Sequence, residues 1–264
     1  MHDIQNHADT REIAIDKVGV CNLRYPIVVL DRSRERQATT AAISMSVNLP
    51  QHFKGTHMSR FIEVLNRHRG EVTMRTLPQI LEELKTTLQA QSAHIEVAFP
   101  YFLEQSAPVS GAQALMDYQC QFTAEANGKT STFTLSVVVP VTSLCPCSKA
   151  IADYGAHNQR GEVTIDVRTR TNVDGTAAMI WIEELIQVAE SSASCPVYAL
   201  LKRPDERHVT MQAYDNPVFV EDIVRNVAVT LQADERVRWF RVRALNHESI
   251  HNHDAFAEIA WERL

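Results

Sequence analysis

The sequence predicts an α+β protein with antiparallel sheets, in which one structural unit occurs twice. Apolar residues repeat with the same offsets in two segments, residues 77–88 and 220–231, as in the one-sided stripe of an amphipathic helix. Each stripe is followed by an alternating segment that is typical of a strand, HIEVAF from His94 and RVRWFRVRAL from Arg236. A second helix and a preceding strand complete each half, so the order of strands, two helices and strands is repeated.

The remaining elements of each half follow from their own patterns. In the first half, TTAAISMSVNL from Thr39 alternates as a strand does, and MSRFIEVLNRH from Met58 has helical spacing. In the second half, EVTIDVRTR from Glu162 predicts a strand and IWIEELIQVAESS from Ile180 predicts a helix. Both halves therefore contain the same types of element in the same order.

A hairpin is predicted where the halves meet. Asn127 and Gly128 separate the alternating runs MDYQCQFTAEA and KTSTFTLSVVVPV, and Asn-Gly in this position is a strong signal for a type I′ turn. No flexible linker divides the chain. We therefore expect an N-terminal segment at residues 1–30, a first unit at 31–145 and a second unit at 146–264.

Composition limits the classes of protein that the chain can belong to. The chain has 264 residues, of which 45% are hydrophobic, so a substantial core is expected. Its odd number of cysteines, 5, does not suggest a disulfide framework and favours a reducing, cytoplasmic setting. The polar N-terminus lacks the apolar region of a signal peptide, and no membrane span is expected. A formal net charge of -6 gives no reason to expect nucleic-acid binding.

The segment PVTSLCPCSKAIADYGAHNQRG, residues 140–161, carries the strongest chemical signal. It is predicted to be a loop between strands, and it contains Cys145, Cys147 and His157. Thiolate and imidazole are good ligands for a divalent ion, and a closed structural zinc site is not expected because no second cysteine pair follows. One catalytic ion, held by one of the cysteines, His157 and a distant carboxylate, fits the count better. Two alternatives stay open: a nucleophilic thiol activated by Lys149, and thiols that only fill a turn.

Five segments together resemble a known family. They are DKVGVCNLRYPI, GTHMSRF, PVTSLCPCSKAIADYGAHNQRG, VYALLKRPDE and NHESIHNHDAFA, and they occur in this order along nearly the whole chain. This pattern resembles the type IB GTP cyclohydrolases. The resemblance implies the tunnelling fold, with two tandem ββααββ units per chain and helices on one face of antiparallel sheets. It also implies a homotetramer with active sites at subunit interfaces.

The resemblance implies a reaction and a cofactor. GTP and water yield formate and 7,8-dihydroneopterin triphosphate, the first step of folate biosynthesis. A divalent metal ion (Mn, Fe or Zn) acts as a Lewis acid that activates water. By resemblance its ligands are Cys145, His157 and Glu190, with Cys147 as the competing cysteine and as a further candidate for the catalytic thiol.

The resemblance also implies residues for the substrate and for proton transfer. Glu206, expected between the two predicted helices of the second unit, would accept hydrogen bonds from the purine edge. His247, His251 and His253 would transfer protons, and alternation along a strand would place the last two on one side. His57 would reach an interface site from a neighbouring subunit.

The triphosphate has no Walker-type loop to bind it. Cationic contacts are therefore expected from Lys149, Arg160, Lys202 and Arg203. Two other functions are alternatives to the cyclohydrolase. One is a tunnelling-fold nitrile reductase, which uses a cysteine nucleophile and a nicotinamide cofactor on a deazaguanine, and the other is a non-catalytic pterin- or purine-binding scaffold. The spacing of His157 from Cys145, and the His-x-His near the C-terminus, favour the cyclohydrolase.

Overall fold

The computed structural model of the chain describes residues 5, 7–68, 72–128, 130–172 and 176–263. Its strands are β1 (Ile15–Asp31), β2 (Glu35–Leu49), β3 (Ser92–Ser106), β4 (Gln113–Asn127), β5 (Thr130–Leu144), β6 (Asn158–Thr169), β7 (Cys195–Pro196), β8 (Val237–Asn246) and β9 (Ala255–Glu262). Its helices are α1 (Met58–Arg67), α2 (Leu77–Leu88), α3 (Pro146–Ile151), α4 (Ile182–Ser192), α5 (Arg203–Asp215) and α6 (Val220–Ala233). The predicted α+β class is confirmed.

The chain divides into two compact units that do not follow the predicted boundaries. Unit 1 contains Met1–Pro100 and Gln121–Leu135, and unit 2 contains Tyr101–Cys120 and Ser136–Leu264. The division differs from a boundary at residue 145 because the long strands β3, β4 and β5 contribute residues to both units. Strand β1 begins at Ile15, within the predicted N-terminal segment, so this part of the segment belongs to the sheet.

In unit 1 the hydrogen-bonded strands follow the order β1-β2-β3-β4-β5. Strand β2 is antiparallel to β1 and to β3, and its alternate residues Ile43, Met45 and Val47 are buried. Helices α1 and α2 contact each other, and they contact β1 and β2 respectively. The apolar stripe of each helix is therefore buried against one face of the sheet.

One glycine permits the close approach of β1 and β2. A Cβ atom at Gly19 would lie 1.9 Å from the carbonyl oxygen of Met45, which is less than any real contact distance. The register shifts on both sides of this residue, between Ile15 and Val18 and between Val20 and Leu23. A bulge therefore brings the two backbones together at a position where only glycine fits.

In unit 2 the strands follow the order β3-β4-β5-β6-β8-β9, and the short β7 pairs with β5. Helix α6 contacts β8 and β9, and α4 contacts β6, β7 and α6. These contacts bury the predicted stripe of α6, which includes Ile223, Val227 and Leu231. No helix within the described residues is long and apolar enough to cross a membrane.

The predicted hairpin is present as neighbouring strands. Strand β4 ends at Asn127, β5 begins at Thr130, and the two are hydrogen-bonded neighbours. Gly128 has a φ of 57°, which is the left-handed conformation that glycine adopts without strain. Residue 129 lies outside the described residues, so the turn type stays a prediction.

Candidate functional site

The Cys145 segment is held by hydrogen bonds between its two ends. The backbone N–H of Cys145 donates to the carbonyl oxygen of His157 at 3.1 Å. The hydroxyl oxygen of Ser148 accepts from the backbone N–H of His157 at 3.2 Å. The segment was predicted to be a loop, but its first part forms the short helix α3, whose N-cap is Cys145. Its backbone therefore fixes the two predicted metal ligands as neighbours.

The thiols of the two cysteines lie in different surroundings. The Sγ atom of Cys145 accepts from the backbone N–H of Ser148 at 3.4 Å, as a capping side chain does. Cys145 is half-buried, whereas Cys147 on α3 is exposed. Of the two cysteines, Cys145 is the one whose backbone is hydrogen-bonded to that of His157.

The imidazole of His157 is oriented by Gln159. Its Nδ1 atom lies 2.8 Å from the side-chain oxygen Oε1 of Gln159, which is a buried residue on β6. Because an amide oxygen only accepts hydrogen bonds, Nδ1 carries the proton in this contact. In the neutral ring the lone pair is then on Nε2. This is the arrangement of a histidine whose second nitrogen binds a metal.

Lys149 contacts helix α5. Its Nζ atom donates to the carbonyl oxygen of Tyr214 and lies 4.2 Å from the centroid of the Tyr214 ring. The ammonium group thus joins α3 to the last turn of α5 through a hydrogen bond and a cation–π contact. The expected effect of Lys149 on a cysteine thiol stays a prediction.

Glu190 is on α4, and it accepts hydrogen bonds from side chains on β3 and β4. Its Oε1 atom accepts from the hydroxyl of Tyr118 at 3.0 Å and from the amide nitrogen of Gln105 at 3.2 Å. Burial raises the pKa of the Glu190 carboxyl, and the two hydrogen bonds only partly oppose it. Burial and the nearby Glu190 together raise the pKa of the Cys195 thiol to about 11. Glu190 is therefore a desolvated carboxylate with one oxygen fixed by its neighbours.

A single chain joins two of the three predicted ligands and leaves the third in a separate network. Cys145 and His157 are joined through their backbones, and Glu190 lies in the separate network with Tyr118. Over the described ranges of the chain, no group of three or more His, Cys, Asp or Glu side chains is arranged to hold a metal ion. The three-ligand metal site stays a prediction.

Glu206 lies between the two predicted helices, α4 and α6, as expected, but it is on a further helix, α5, that the sequence did not predict. It lies in the first turn of α5, where its backbone N–H donates to the carbonyl oxygen of Lys202 at 2.9 Å. Glu206, Lys202 and Arg203 are exposed. The start of α5 thus presents one carboxylate and two cations at its surface, and the preceding Asp205 is fully buried.

The three C-terminal histidines lie on the connection between β8 and β9. The prediction that strand alternation places His251 and His253 on one side is wrong, because residues 247–254 are not in a strand. Their rings nevertheless stack, with centroids 5.0 Å apart and planes inclined by 16°. At the base of the loop, the Nδ1 atom of His247 lies 3.3 Å from the carboxylate of Asp254, and its backbone N–H donates to the carbonyl oxygen of Arg160 at 2.9 Å.

His57 belongs to unit 1, where it is the half-buried residue before α1. The other predicted site residues belong to unit 2. The role of His57 at a subunit interface stays a prediction.

Sequence reasoning missed the residues that support the predicted ligands. Gln159, Tyr118, Gln105 and Asp205 contact or adjoin site residues, but none of them was singled out. A local signal existed for Asp205, because Pro-Asp-Glu after a basic residue is typical of a helix start. No local signal existed for Tyr118 and Gln105, which are 72 and 85 residues from Glu190.

Comparison with known proteins gives the family. Residues 1–257 match the model of the type I GTP cyclohydrolase folE2 family. The chain is 54% identical over 263 residues to GTP cyclohydrolase FolE2 of Nitrosococcus oceani, covering 100% of this chain and 96% of the relative. It is 52% identical over 263 residues to GTP cyclohydrolase FolE2 of Geobacter sulfurreducens, with coverage of 100% and 99%.

Solved structures of very different sequence share the fold. Uricase from Arthrobacter globiformis superposes with a TM-score of 0.55 at 9% identity, covering 94% of this chain and 93% of that one. Urate oxidase from Bacillus subtilis 168 gives a TM-score of 0.53 at 10% identity, with coverage of 94% and 98%. These likenesses confirm the tunnelling fold. From the family match and the identity to its members over the full length, the chain belongs to the type I GTP cyclohydrolase FolE2 family.

Proposed function

We propose that the chain is a metal-dependent GTP cyclohydrolase of the IB type. It adds water to C8 of guanine, releases formate and forms 7,8-dihydroneopterin triphosphate, the first step of folate biosynthesis. The observation that carries the metal-dependent part is the pairing of Cys145 with His157, whose Nδ1 is held by Gln159. More than half of the residues are identical to those of FolE2 cyclohydrolases over the full length, which supports the same reaction here.

The donor set fits a divalent metal ion. A thiolate at Cys145 and the Nε2 atom of His157 suit Zn, Fe or Mn, and Glu190 would supply an oxygen ligand. Tyr118 and Gln105 donate to one oxygen of Glu190, which leaves the other oxygen for an ion. The bound ion would act as a Lewis acid and supply activated water near neutral pH.

The histidines of the β8–β9 connection are proposed to move protons. Ring opening at the imidazole of guanine and rearrangement of the ribose need groups that take up and release protons near neutrality, and imidazole is the side chain that does so. The rings of His251 and His253 stack in an exposed segment, and His247 contacts Asp254 across the two ends of that segment. Both stacked rings are exposed, so a substrate bound at this surface has access to them.

The start of α5 is proposed to bind GTP. Glu206 would accept hydrogen bonds from the adjacent N–H groups of guanine, a pairing strengthened by its charge. The exposed cations Lys202 and Arg203 lie at the same helix terminus, where the helix dipole also favours an anion. Lys149 and Arg160 are proposed as further contacts of the triphosphate.

A homotetramer with active sites between subunits is also proposed, and so is a location in the cytoplasm. Ile151 and Tyr154 support the subunit interface, because these large side chains are 86% and 91% exposed and lie in the same segment as the predicted ligands Cys145 and His157. Apolar groups beside a site are typical of a surface that an assembly covers. The free state of all 5 cysteines supports a reducing compartment.

Incubation with GTP, with and without a chelator, tests the proposed function. A cyclohydrolase releases formate and produces a fluorescent pterin, and both products disappear when the metal is removed. A nitrile reductase would instead consume a nicotinamide cofactor and leave GTP intact. A binding scaffold would bind GTP without producing formate, and either result would refute the proposal.

A further inference from the structure

Three helices of unit 2 begin with the same type of cap. In α4, α5 and α6 the third residue of the helix is acidic, and its carboxylate accepts from the backbone N–H of the residue before the helix. The acidic residues are Glu184, Asp205 and Asp222, and the distances are 3.1, 2.9 and 3.1 Å. Such a cap satisfies a backbone donor that has no partner within the helix.

The cap of α5 differs because Asp205 also binds a second segment. Its Oδ1 atom accepts from the backbone N–H groups of Val109 and Ser110, each at 2.8 Å. Its Oδ2 atom accepts from the hydroxyl of Ser110 at 2.6 Å and from the backbone N–H of Lys202. Asp205 is 0% exposed, whereas the side chain of Asp222 is 42% exposed. Four donors therefore surround one buried carboxylate.

The ionised form of Asp205 is the one that this arrangement stabilises. Burial alone would raise the pKa of its carboxyl, but the hydrogen bonds from Ser110, Lys202 and Val109 outweigh burial and hold the pKa well below its usual range. A neutral amide in its place would present a donor to at least one of these N–H or O–H groups. The contact is thus specific for a carboxylate.

The second segment is a tight loop between β3 and β4. The backbone N–H of Ala107 donates to the carbonyl oxygen of Ala112 at 2.9 Å, and that of Gly111 donates to the carbonyl oxygen of Ala107 at 3.1 Å. The loop is therefore braced by its own hydrogen bonds before it meets Asp205. Asp205 joins this braced loop to the first turn of α5, and the next residue in that turn is Glu206.

We propose that Asp205 is a positioning residue that fixes the purine-binding Glu206 by holding the first turn of α5 on the loop of residues 107–112. This inference rests on the proposed function, in which Glu206 accepts from guanine. Glu206 is exposed and has a long side chain, so its aim depends on where the helix backbone is held. Two parallel hydrogen bonds to a purine edge tolerate only small displacements of the carboxylate.

The variant Asp205→Asn tests the inference, with Asp222→Asn as the matched control. Both variants change an acidic cap at the same helix position, but Asp222 does not hold the loop before β4. We expect Asp205→Asn to raise the KM for GTP about tenfold with a smaller change in kcat, because a misplaced anchor weakens substrate binding. Asp222→Asn should leave KM unchanged, and both variants should retain the metal content of the wild type.

Discrimination against inosine triphosphate gives a second readout that a purely structural role would not change. Inosine lacks the 2-amino group, so the preference for GTP reports the hydrogen bonds that Glu206 accepts. The ratio of kcat/KM for GTP to that for inosine triphosphate should fall about tenfold in Asp205→Asn and should be unchanged in Asp222→Asn. An Asp205→Asn protein with the same KM and the same ratio as Asp222→Asn would overturn the inference.

Two further variants keep the outcomes distinct. Ser110→Ala removes one of the four hydrogen bonds and should show the same changes, smaller in size, even where Asp205→Asn does not fold. An unchanged KM and ratio in a folded Ser110→Ala would then count against the inference. Glu206→Gln tests the proposed anchor itself. If Glu206→Gln leaves the ratio unchanged, the proposed role of Glu206 and the inference both fail. If Glu206→Gln lowers the ratio and Asp205→Asn does not, only the positioning role of Asp205 fails.

Discussion

The hydrogen bond between Gln159 and His157 gives the sharpest prediction about the metal. In Gln159→Leu the Nδ1–H group of His157 loses its acceptor, although the side chain at position 159 stays buried and similar in size. A buried donor left without a partner costs about 1–3 kcal/mol, and the loss of a partner behind a metal-binding histidine typically weakens metal binding about 10- to 100-fold. We therefore expect the dissociation constant of the metal to rise by about that factor.

Competition with a chromogenic chelator measures this dissociation constant directly. Gln159→Glu is the informative companion, since its carboxylate still accepts from Nδ1–H and should retain tight binding. Gln121→Leu is a matched control, because Gln121 is a half-buried strand residue that donates to Thr123 and does not contact a predicted ligand. Equal metal affinities in Gln159→Leu, Gln121→Leu and the wild type would refute the reasoning that His157 binds the metal through Nε2.

The remaining predictions concern stability. Gly19→Ala should destabilise the protein by about 1–3 kcal/mol, because its Cβ would collide with the backbone of Met45. Gly55→Ala is the control and should lower the free energy of unfolding less, because the nearest atom to its Cβ is 3.4 Å away. Urea unfolding compares the two variants, and equal midpoints would contradict the packing at Gly19. For Glu190, burial raises the pKa in the folded state above the ordinary 4.5, so the folded form holds the proton more tightly. Stability of the metal-free protein should therefore fall as pH rises from 4.5 through the raised folded pKa, and Glu190→Gln should remove that part of the slope; an unchanged slope in urea titrations across this pH range would show that Glu190 is not its source.

The helices that sequence predicts well are those whose apolar stripe is buried. Helices α2 and α6 bury four and six residues, mostly the stripe itself, so spacing alone located both. Helix α5 was missed because it buries only Asp205 and Ala213 and has no apolar stripe to detect. Its start was nevertheless visible in the Pro-Asp-Glu sequence, which is a cap signal and not a periodic one.

The candidate site was predictable where its residues are close in sequence. Cys145 and His157 share one short segment, and their backbones are hydrogen-bonded to each other. The prediction for His251 and His253 assumed a strand, but the residues lie in a loop, and the stacking of their rings depends on the loop conformation that alternation does not describe. The partners of Glu190 come from distant strands, so only the folded chain identifies them.

The metal content of two cysteine variants tests the central claim most directly. Wild type, Cys145→Ala and Cys147→Ala are purified without added ions, and bound metal is measured by mass spectrometry together with formate release from GTP. The pairing of Cys145 with His157 predicts that Cys145→Ala loses both the ion and the formate, whereas Cys147→Ala retains its ion. A Cys145→Ala protein that keeps its metal and still releases formate from GTP would contradict the account.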